Sequence, residues 1–395
     1  MEALLFLCHR IPYPPDKGDK IRAWHVLKQL LTRYRVHLGT FIDDPADRVH
    51  LDFLKGLCAS VHAVEIAPTQ RRLLSLRGLL GNEALGLTYY RDPSLARWVS
   101  AIRREVAPRK VLVFSSTMAQ YVCGPEWSQA RRVIDFVDVD SEKWADYATQ
   151  KPWPLSALYA REARCLRRFE ARVATTCDAS VFVSKAEAEV FSARVSVNAA
   201  QVHAVENGVD LQYFARDPHR PSPYPRPAPV LVFTGAMDYW ANEDAVQWFA
   251  TAVWPLVLAA RPDAEFWIVG ARPSAGVLAL GQLPQVFVTG RVPDTRPYLQ
   301  HAALAVAPLR IARGVQNKVL EALSMELAVI ATPAACAGLH RDAPPHALAC
   351  AEAPAFAQQI LNRLGEKSTD GRAYVNAHHH WGTTLRQLNA LLEVA

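Results

Sequence analysis

Residues 307–323 read APLRIARGVQNKVLEAL. A short apolar run, Leu304–Ala307, leads into a loop that carries Gly314, and the loop leads into a segment with helical periodicity over Gln316–Met325. Strand, glycine loop and helix in that order make half of a β/α unit.

The same rhythm extends in both directions. Upstream, Val230–Thr234, Glu265–Val269 and Val286–Thr289 read as strands, and downstream Ala328–Ala331 does. The helices between and after them are expected at Glu243–Ala260 and Ala353–Leu364. Farther upstream the alternation occurs a second time. Ala3–Leu7, Val36–Phe41, Val61–Ile66, Val111–Phe114, Val133–Phe136, Ala179–Val183 and Gln201–Val205 read as strands, with helices such as Lys20–Tyr34, Leu95–Val106 and Ala157–Thr175. Continuous apolar strands joined by helices predict buried parallel sheets. Between Pro218 and Pro229 six of twelve residues are proline, which no helix interior or central strand accepts. The expectation is an α/β chain of two Rossmann-like domains. Residues 1–210 form the first, 211–228 a proline-rich linker, and 229–375 the second. Residues 376–395 form a helical segment with apolar Leu385, Leu388, Leu391 and Leu392.

Composition narrows the function. The 395 residues are 50% hydrophobic and 21% charged, which suits packed cores rather than disorder. No apolar run approaches the roughly 18 residues of a membrane span. The apolar start Met1–Cys8 is too short for one, and without a basic lead or cleavage site it is not read as a signal peptide. Seven scattered cysteines show no metal-like spacing, so a reducing, cytoplasmic setting is expected. A net charge of +6 permits an anionic ligand or membrane surface without demanding nucleic acid. His378–His379–His380 is read as surface, since three consecutive helical side chains diverge.

Several loops could carry chemistry. Near the start of the helix after Ala307, Lys318 can reach a diphosphate, which the Gly314 loop and the free N–H groups around Gln316 and Asn317 would also favour. Glu321, three residues on, shares its face and can accept from the two hydroxyls of a ribose. The competing reading is an exposed Lys–Glu pair worth tenths of a kcal/mol. Gly235 ends a strand and lets backbone approach a phosphate, and Arg291 follows a strand where backbone could meet a nucleobase. In the first half, Gly18, Asp19, Lys20 and Arg22 sit in a strand-to-helix loop that also holds Arg10 and Lys17. There the cations point to phosphate and Asp19 to an N-cap. Asn207–Gly208 reads as a hinge turn with positive φ. Asp138 and Asp140 lie at a strand end, where they could orient an acceptor hydroxyl or serve as base, or cap the next helix together with Ser141.

Six segments carry a resemblance: RIPYPPDKGDKIRAWH (10–25), DFVDVDSEKW (135–144), VENGVDLQYF (205–214), FTGAMDYWANEDAVQWF (233–249), VTGRVPD (288–294) and APLRIARGVQNKVLEALSM (307–325). In order, and across nearly the whole chain, they resemble bacterial glycosyltransferases of family 4 with the GT-B fold. They are most similar to the sugar transferases associated with exosortase (PEP-CTERM) exopolysaccharide systems. The resemblance implies two Rossmann-like domains facing across a cleft, with a final helix crossing back to brace the first. It implies retaining, metal-independent sugar transfer from a nucleoside diphosphate sugar bound by the second domain to a glycan or polyprenyl-linked acceptor bound by the first. Gly18 would then approach the donor phosphates, Lys318 would neutralise the diphosphate and Glu321 would hold the ribose. The broad family often carries two glutamates eight positions apart. Here Arg313 occupies the first position and Glu321 the second, so Arg313 and Lys318 would share more of the diphosphate charge.

Two other readings stay open. One is a nucleotide-sugar epimerase or hydrolase on the same fold. The other is a degenerate, non-catalytic nucleotide-sugar-binding subunit. Within the expected cytoplasmic location, peripheral contact with the inner membrane is a further reading. It rests on Arg71, Arg72 and Arg77 among Leu73, Leu74, Leu76, Leu79 and Leu80, and on the arginine-rich helix 161–172.

Overall fold

A computed structural model of the chain describes all residues except 17, 82, 313, 314, 340–346, 365, 367, 368 and 395, and omits the side chains of 80, 150, 347–349 and 369. The chain divides into two compact units, Met1–Val205 with Leu385–Ala395, and Glu206–Thr384.

The first unit is built on seven parallel strands, β1 (Glu2–Cys8), β2 (Tyr34–Ile42), β3 (Ser60–Glu65), β4 (Lys110–Phe114), β5 (Arg131–Val137), β6 (Ala179–Phe182) and β7 (Val202–Ala204), in the order β3-β2-β1-β4-β5-β6-β7. The second contains six parallel strands, β8 (Val230–Thr234), β9 (Glu265–Val269), β10 (Val286–Gly290), β11 (Leu304–Ala307), β12 (Val329–Ala331) and β13 (Ala347–Ala349), ordered β10-β9-β8-β11-β12-β13. Both are doubly wound, and the direction of winding reverses between β1 and β4 and between β8 and β11. Ligands of such sheets bind outside the carboxyl ends of the strands at that reversal. The helices used below are α1 (Gly18–Leu31), α2 (Pro68–Ser75), α3 (Asp140–Gln150), α4 (Leu155–Thr176), α5 (Lys185–Arg194), α6 (Trp240–Trp248), α7 (Asn317–Ser324) and α8 (Trp381–Glu393).

The central strands are apolar because helices cover both of their faces. Leu4–Leu7 and Val230–Phe233 are almost fully buried. The strand expectations hold within a few residues, and β13 is an addition. The helix expected over Glu243–Ala260 is interrupted by a π-helical turn at Phe249–Val253, just before Pro255, whose ring nitrogen has no N–H to give the ladder.

The segment 211–228, expected as a linker, is instead laid onto the second unit. Arg216 donates to the Met325 and Gln300 carbonyls, Asp217 and Arg220 engage the Gln300 side chain, and Tyr224 Oη donates to Tyr298 O at 2.7 Å. Its prolines keep it extended while side chains fasten it. Gly208 does not take positive φ; it lies so close to Trp381 that an added Cβ would stand 2.7 Å from the Trp381 nitrogen. The reading of the His378–His380 run as surface fails at His379. That ring is buried, and its Nε2 lies 3.0 Å from Tyr374 Oη.

Helix α8 starts in the second unit and ends in the first. Its apolar row, Leu385, Leu388 and Leu392, is buried at 2% exposure or less. Lys110 Nζ donates to Glu393 at 2.6 Å, Tyr34 Oη also bonds Glu393, and Arg131 Nε donates to Leu391 O at 3.0 Å. Leu388→Ala or Leu392→Ala should therefore cost about 2–5 kcal/mol. The loss should appear in the denaturant unfolding of the first unit, whereas Glu393→Gln, with a half-exposed carboxylate, should cost much less.

Candidate active site

The winding reversal of the second sheet sets the loop after β8 beside the loop after β11, because Leu231 and Val232 pair with Leu304 and Ala305. Gly235 opens the first loop, and Lys318 stands in the first turn of α7 after the second. They meet: a Cβ on Gly235 would lie 3.3 Å from Lys318 Nζ and 2.8 Å from the Asn242 amide nitrogen. The lack of a side chain at Gly235 leaves room for the ammonium.

Lys318 Nζ donates to Asn242 Oδ1 and sits 4.2 Å from the centroid of the Phe233 ring. Asn242, on α6, donates in turn from Nδ2 to Ala236 O at 2.8 Å, which fixes its carbonyl toward the lysine. A neutral amide and a ring face do not neutralise a cation. Burial accordingly pulls the Lys318 pKa down to about 7, with Glu321 opposing the shift. Burial pushes the Glu321 carboxyl up to about 7, opposed by Lys318. No side-chain hydrogen bond to the Glu321 carboxylate exists among the described residues. The pair is therefore a cation and an acceptor kept from full satisfaction, one helical turn apart. Asn317, beside them, buries its Oδ1 with no partner among the described residues. Burial and then Asp294 raise the Tyr213 pKa, with Glu321 adding to the rise, and the Tyr213 ring lies against the Arg296 guanidinium at 3.9 Å.

The neighbouring strand ends are drawn in as well. Gly235 N donates to Val269 O at 3.1 Å, and a Cβ on Gly270 would collide with Gly235 O at 1.6 Å. Gly290 takes φ +69° and leaves Arg291 exposed beyond it. Gln316 precedes α7 as its half-buried N-cap residue, without a capping side-chain bond. Arg313 and Gly314 lie outside the described residues. Asn242 and Gly270 are absent from the sequence-based set. Asn242 is one polar residue in an amphipathic helix, and Gly270 lacks any motif; their role emerges only from the contact between loops.

The first unit corrects the reading of the loop after β1. Its cations face carboxylates rather than an open phosphate site. Lys20 is buried and pairs with Asp16 at 2.9 Å and Asp47 at 3.1 Å. Arg22 is buried and donates to Asp135 at 2.8 Å. Arg10 bridges Asp43 at 2.8 Å and Asp19 at 2.6 Å. Lys17 lies outside the described residues. Asp19 is held well below the usual carboxylate range, its burial outweighed by His9 and Arg10. Arg22 thus secures α1 to β5, Lys20 secures it to Asp47 in the turn 45–50, and Gly18, exposed at the helix start, has open space around it. His9, which the sequence reading passed over, follows β1 with Nε2 3.4 Å from Asp19 and with buried Nδ1 unpartnered among the described residues.

Asp138 and Asp140 converge on one lysine, with Lys143 Nζ at 2.7 and 3.4 Å. They follow Val137, whose φ of +68° is costly for a β-branched residue. The capping alternative is corrected: neither Asp140 nor Ser141 caps α3. Glu187 accepts from Val139 N at 2.8 Å, and Glu170 accepts from Ser141 N at 3.2 Å. Burial raises the Glu170 carboxyl to about 8.

Residues 228–366 match the family described as Glycosyl transferases group 1. No curated protein sequence matches the chain significantly. Among solved structures, Anabaena Alr3699/HepE in complex with UDP and glucose is similar at TM-score 0.66 and 14% identity, covering 99% of each chain. WaaG, a glycosyltransferase involved in lipopolysaccharide biosynthesis, is similar at TM-score 0.62 and 14% identity, covering 99% of this chain and 100% of that one. The UDP-forming α,α-trehalose-phosphate synthase of Burkholderia vietnamiensis is similar at 0.60 and 11%, covering 100% of each.

The charge states give a testable sign. Unfolded Lys318 binds its proton up to about pH 10.5 and the folded residue only to about 7, so its stability penalty grows as pH falls from 10.5 to 7. Folded Glu321 keeps its proton to about 7 against 4.5 unfolded, so its penalty grows from pH 4.5 to 7 and persists above. At pH 7, Lys318→Met and Glu321→Gln should each raise Tm by roughly 2–4 °C. By pH 10 the gain from Lys318→Met should have almost vanished; thermal melts across pH check both. Two Rossmann-like α/β units give the chain the GT-B fold, and residues 228–366 of its second unit are similar to the family described as Glycosyl transferases group 1.

Proposed function

We propose that the chain transfers a sugar, with retention of anomeric configuration and without a metal, from a nucleoside diphosphate sugar to a lipid-linked or polysaccharide acceptor. The observation that carries this reading is the incompletely neutralised Lys318 ammonium against Gly235 and Asn242, one turn from an open Glu321 carboxylate.

In transfer, the bond from the anomeric carbon to the diphosphate oxygen breaks. The acceptor oxygen bonds the same face of that carbon, and the hydroxyl proton passes to the departing diphosphate oxygen. Negative charge grows on the diphosphate. A fixed cation at that point favours the transition state over the ground state. Lys318 fills this role, joined by Gln316 and the first turn of α7 at Asn317, and the sequence resemblance assigns Arg313 and Gly314 to the same diphosphate. An arriving diphosphate raises the lysine pKa, so the proton is held when needed. Glu321 accepts from the ribose hydroxyls, Gly235 admits the phosphate, and the exposed Arg291 loop reaches the base. On the acceptor side, Asp138 and Asp140, partnered by Lys143, orient the hydroxyl. HepE was crystallised with UDP-glucose, which makes a UDP-sugar the first donor to try. WaaG works in lipopolysaccharide biosynthesis, which agrees with a cell-envelope acceptor. The six-segment resemblance adds exopolysaccharide systems of the exosortase (PEP-CTERM) type.

Contact with an anionic inner-membrane surface belongs to this proposal. Leu73, Leu74, Leu76 and Leu79 are 42–67% exposed around α2 and the turn after it, with Arg72 and Arg77 exposed among them. Arg71 faces inward to Asp92 instead. No helix among the described residues is long and apolar enough to cross a membrane. Leucines that enter the interface beside arginines suit peripheral binding.

With a labelled donor and a lipid-extract acceptor, Lys318→Met and Gly235→Val should each lower kcat/KM at least 100-fold. Wild-type-like turnover in both would refute the site. Rapid donor consumption without acceptor would favour a hydrolase or epimerase, and donor binding without transfer would favour a binding subunit. Leu73→Ser/Leu76→Ser should abolish flotation with phosphatidylglycerol vesicles while leaving turnover of a soluble acceptor intact.

A further inference from the structure

Helix α4 carries Arg164, Arg167 and Arg168 on the face that also presents Ala171. Arg194, in the last turn of α5, stands opposite. Together with Ala171 and Val195 these four arginines line a cavity of about 260 Å³. Among the described residues no carboxylate lines it. Glu142 on α3 lies behind, where it accepts from Arg167 Nη2 at 2.6 Å and stands 3.8 Å from Arg194 Nη2. One carboxylate therefore answers two guanidiniums, and the other two have little to hold. Arg168 has no hydrogen-bond or ion-pair partner among the described residues, and Arg164 makes one long bond, 3.4 Å, to Ala160 O of its own helix. Arg167 buries its Nε with no partner among the described residues.

Four like charges around one small hollow repel each other, and Arg164 and Arg168, four apart on a helix, repel most directly. A buried N–H without an acceptor adds a further cost. Both costs disappear when an anion with several acceptor oxygens occupies the hollow. Guanidinium forks match the oxygen spacing of phosphate, and the volume admits one headgroup rather than a polymer. We propose that the cavity between α4 and α5 is a second anion site, separate from Lys318 and built for a phosphate or diphosphate group. It goes beyond the donor reading and does not depend on it. A lipid headgroup and a soluble phosphoester share this chemistry.

The test titrates inorganic pyrophosphate calorimetrically into the full chain carrying Lys318→Met, so that the donor site does not contribute. The expected result is one binding event, weakened at least tenfold by Arg167→Gln/Arg168→Gln. Arg164→Gln/Arg168→Gln, which alters only exposed side chains, should weaken it similarly and guards against a folding defect. Flotation with phosphatidylglycerol vesicles separates the sources: loss in the same variants assigns the site to a lipid headgroup, and retention assigns it to a soluble phosphoester. Unchanged pyrophosphate affinity in both variants would overturn the proposal, as would equal affinity for succinate. UDP binding by chains that retain Lys318 tests the donor site independently.

Discussion

The second unit is organised around a cation that its own surroundings do not neutralise. Lys318 is held by an amide oxygen, a ring face and a carboxylate one turn away that is itself driven toward its neutral form. Such an arrangement is costly to a fold. It persists because α7 must start at the carboxyl end of β11, β11 must lie beside β8, and the loop after β8 must yield space at Gly235. Sheet order, glycine placement and the Asn242 rotamer all serve one ammonium.

Unit 1 treats its charges in the opposite way. Lys20 with Asp47, and Arg22 with Asp135, are buried ion pairs, and the more exposed Asp16 adds to the first. A buried pair is lost at high cost when one partner is removed, so these residues hold the architecture together. The contrast distinguishes cations that build from cations that bind: the former meet carboxylates at 2.8–3.1 Å, whereas Lys318 meets a neutral oxygen.

That contrast also marks the limit of what was legible in the sequence. The strands could be read because continuous apolar runs such as Val230–Phe233 admit few other structures. The Lys318–Glu321 face could be read because helical spacing is local. Partnership across space could not. Arg10, Lys20 and Arg22 looked like a phosphate cluster, since Asp43, Asp47 and Asp135 lie far off in sequence and arrive through strand pairing. The 211–228 segment looked like a linker because prolines report backbone shape and say nothing of the Arg220 and Tyr224 side chains that fasten it to Gln300 and Tyr298. Asn242 and Gly270 have no local signature at all; they matter because β8, β9 and β11 are neighbours.

The most direct test of the central claim is an NMR titration of the Lys318 side chain, assigned by comparison with Lys318→Arg, without ligand and with saturating UDP. The account predicts a pKa near 7 in the free chain and a rise of about 2 units or more when the diphosphate arrives. An ordinary lysine pKa, about 10.4, that does not move with UDP would contradict it.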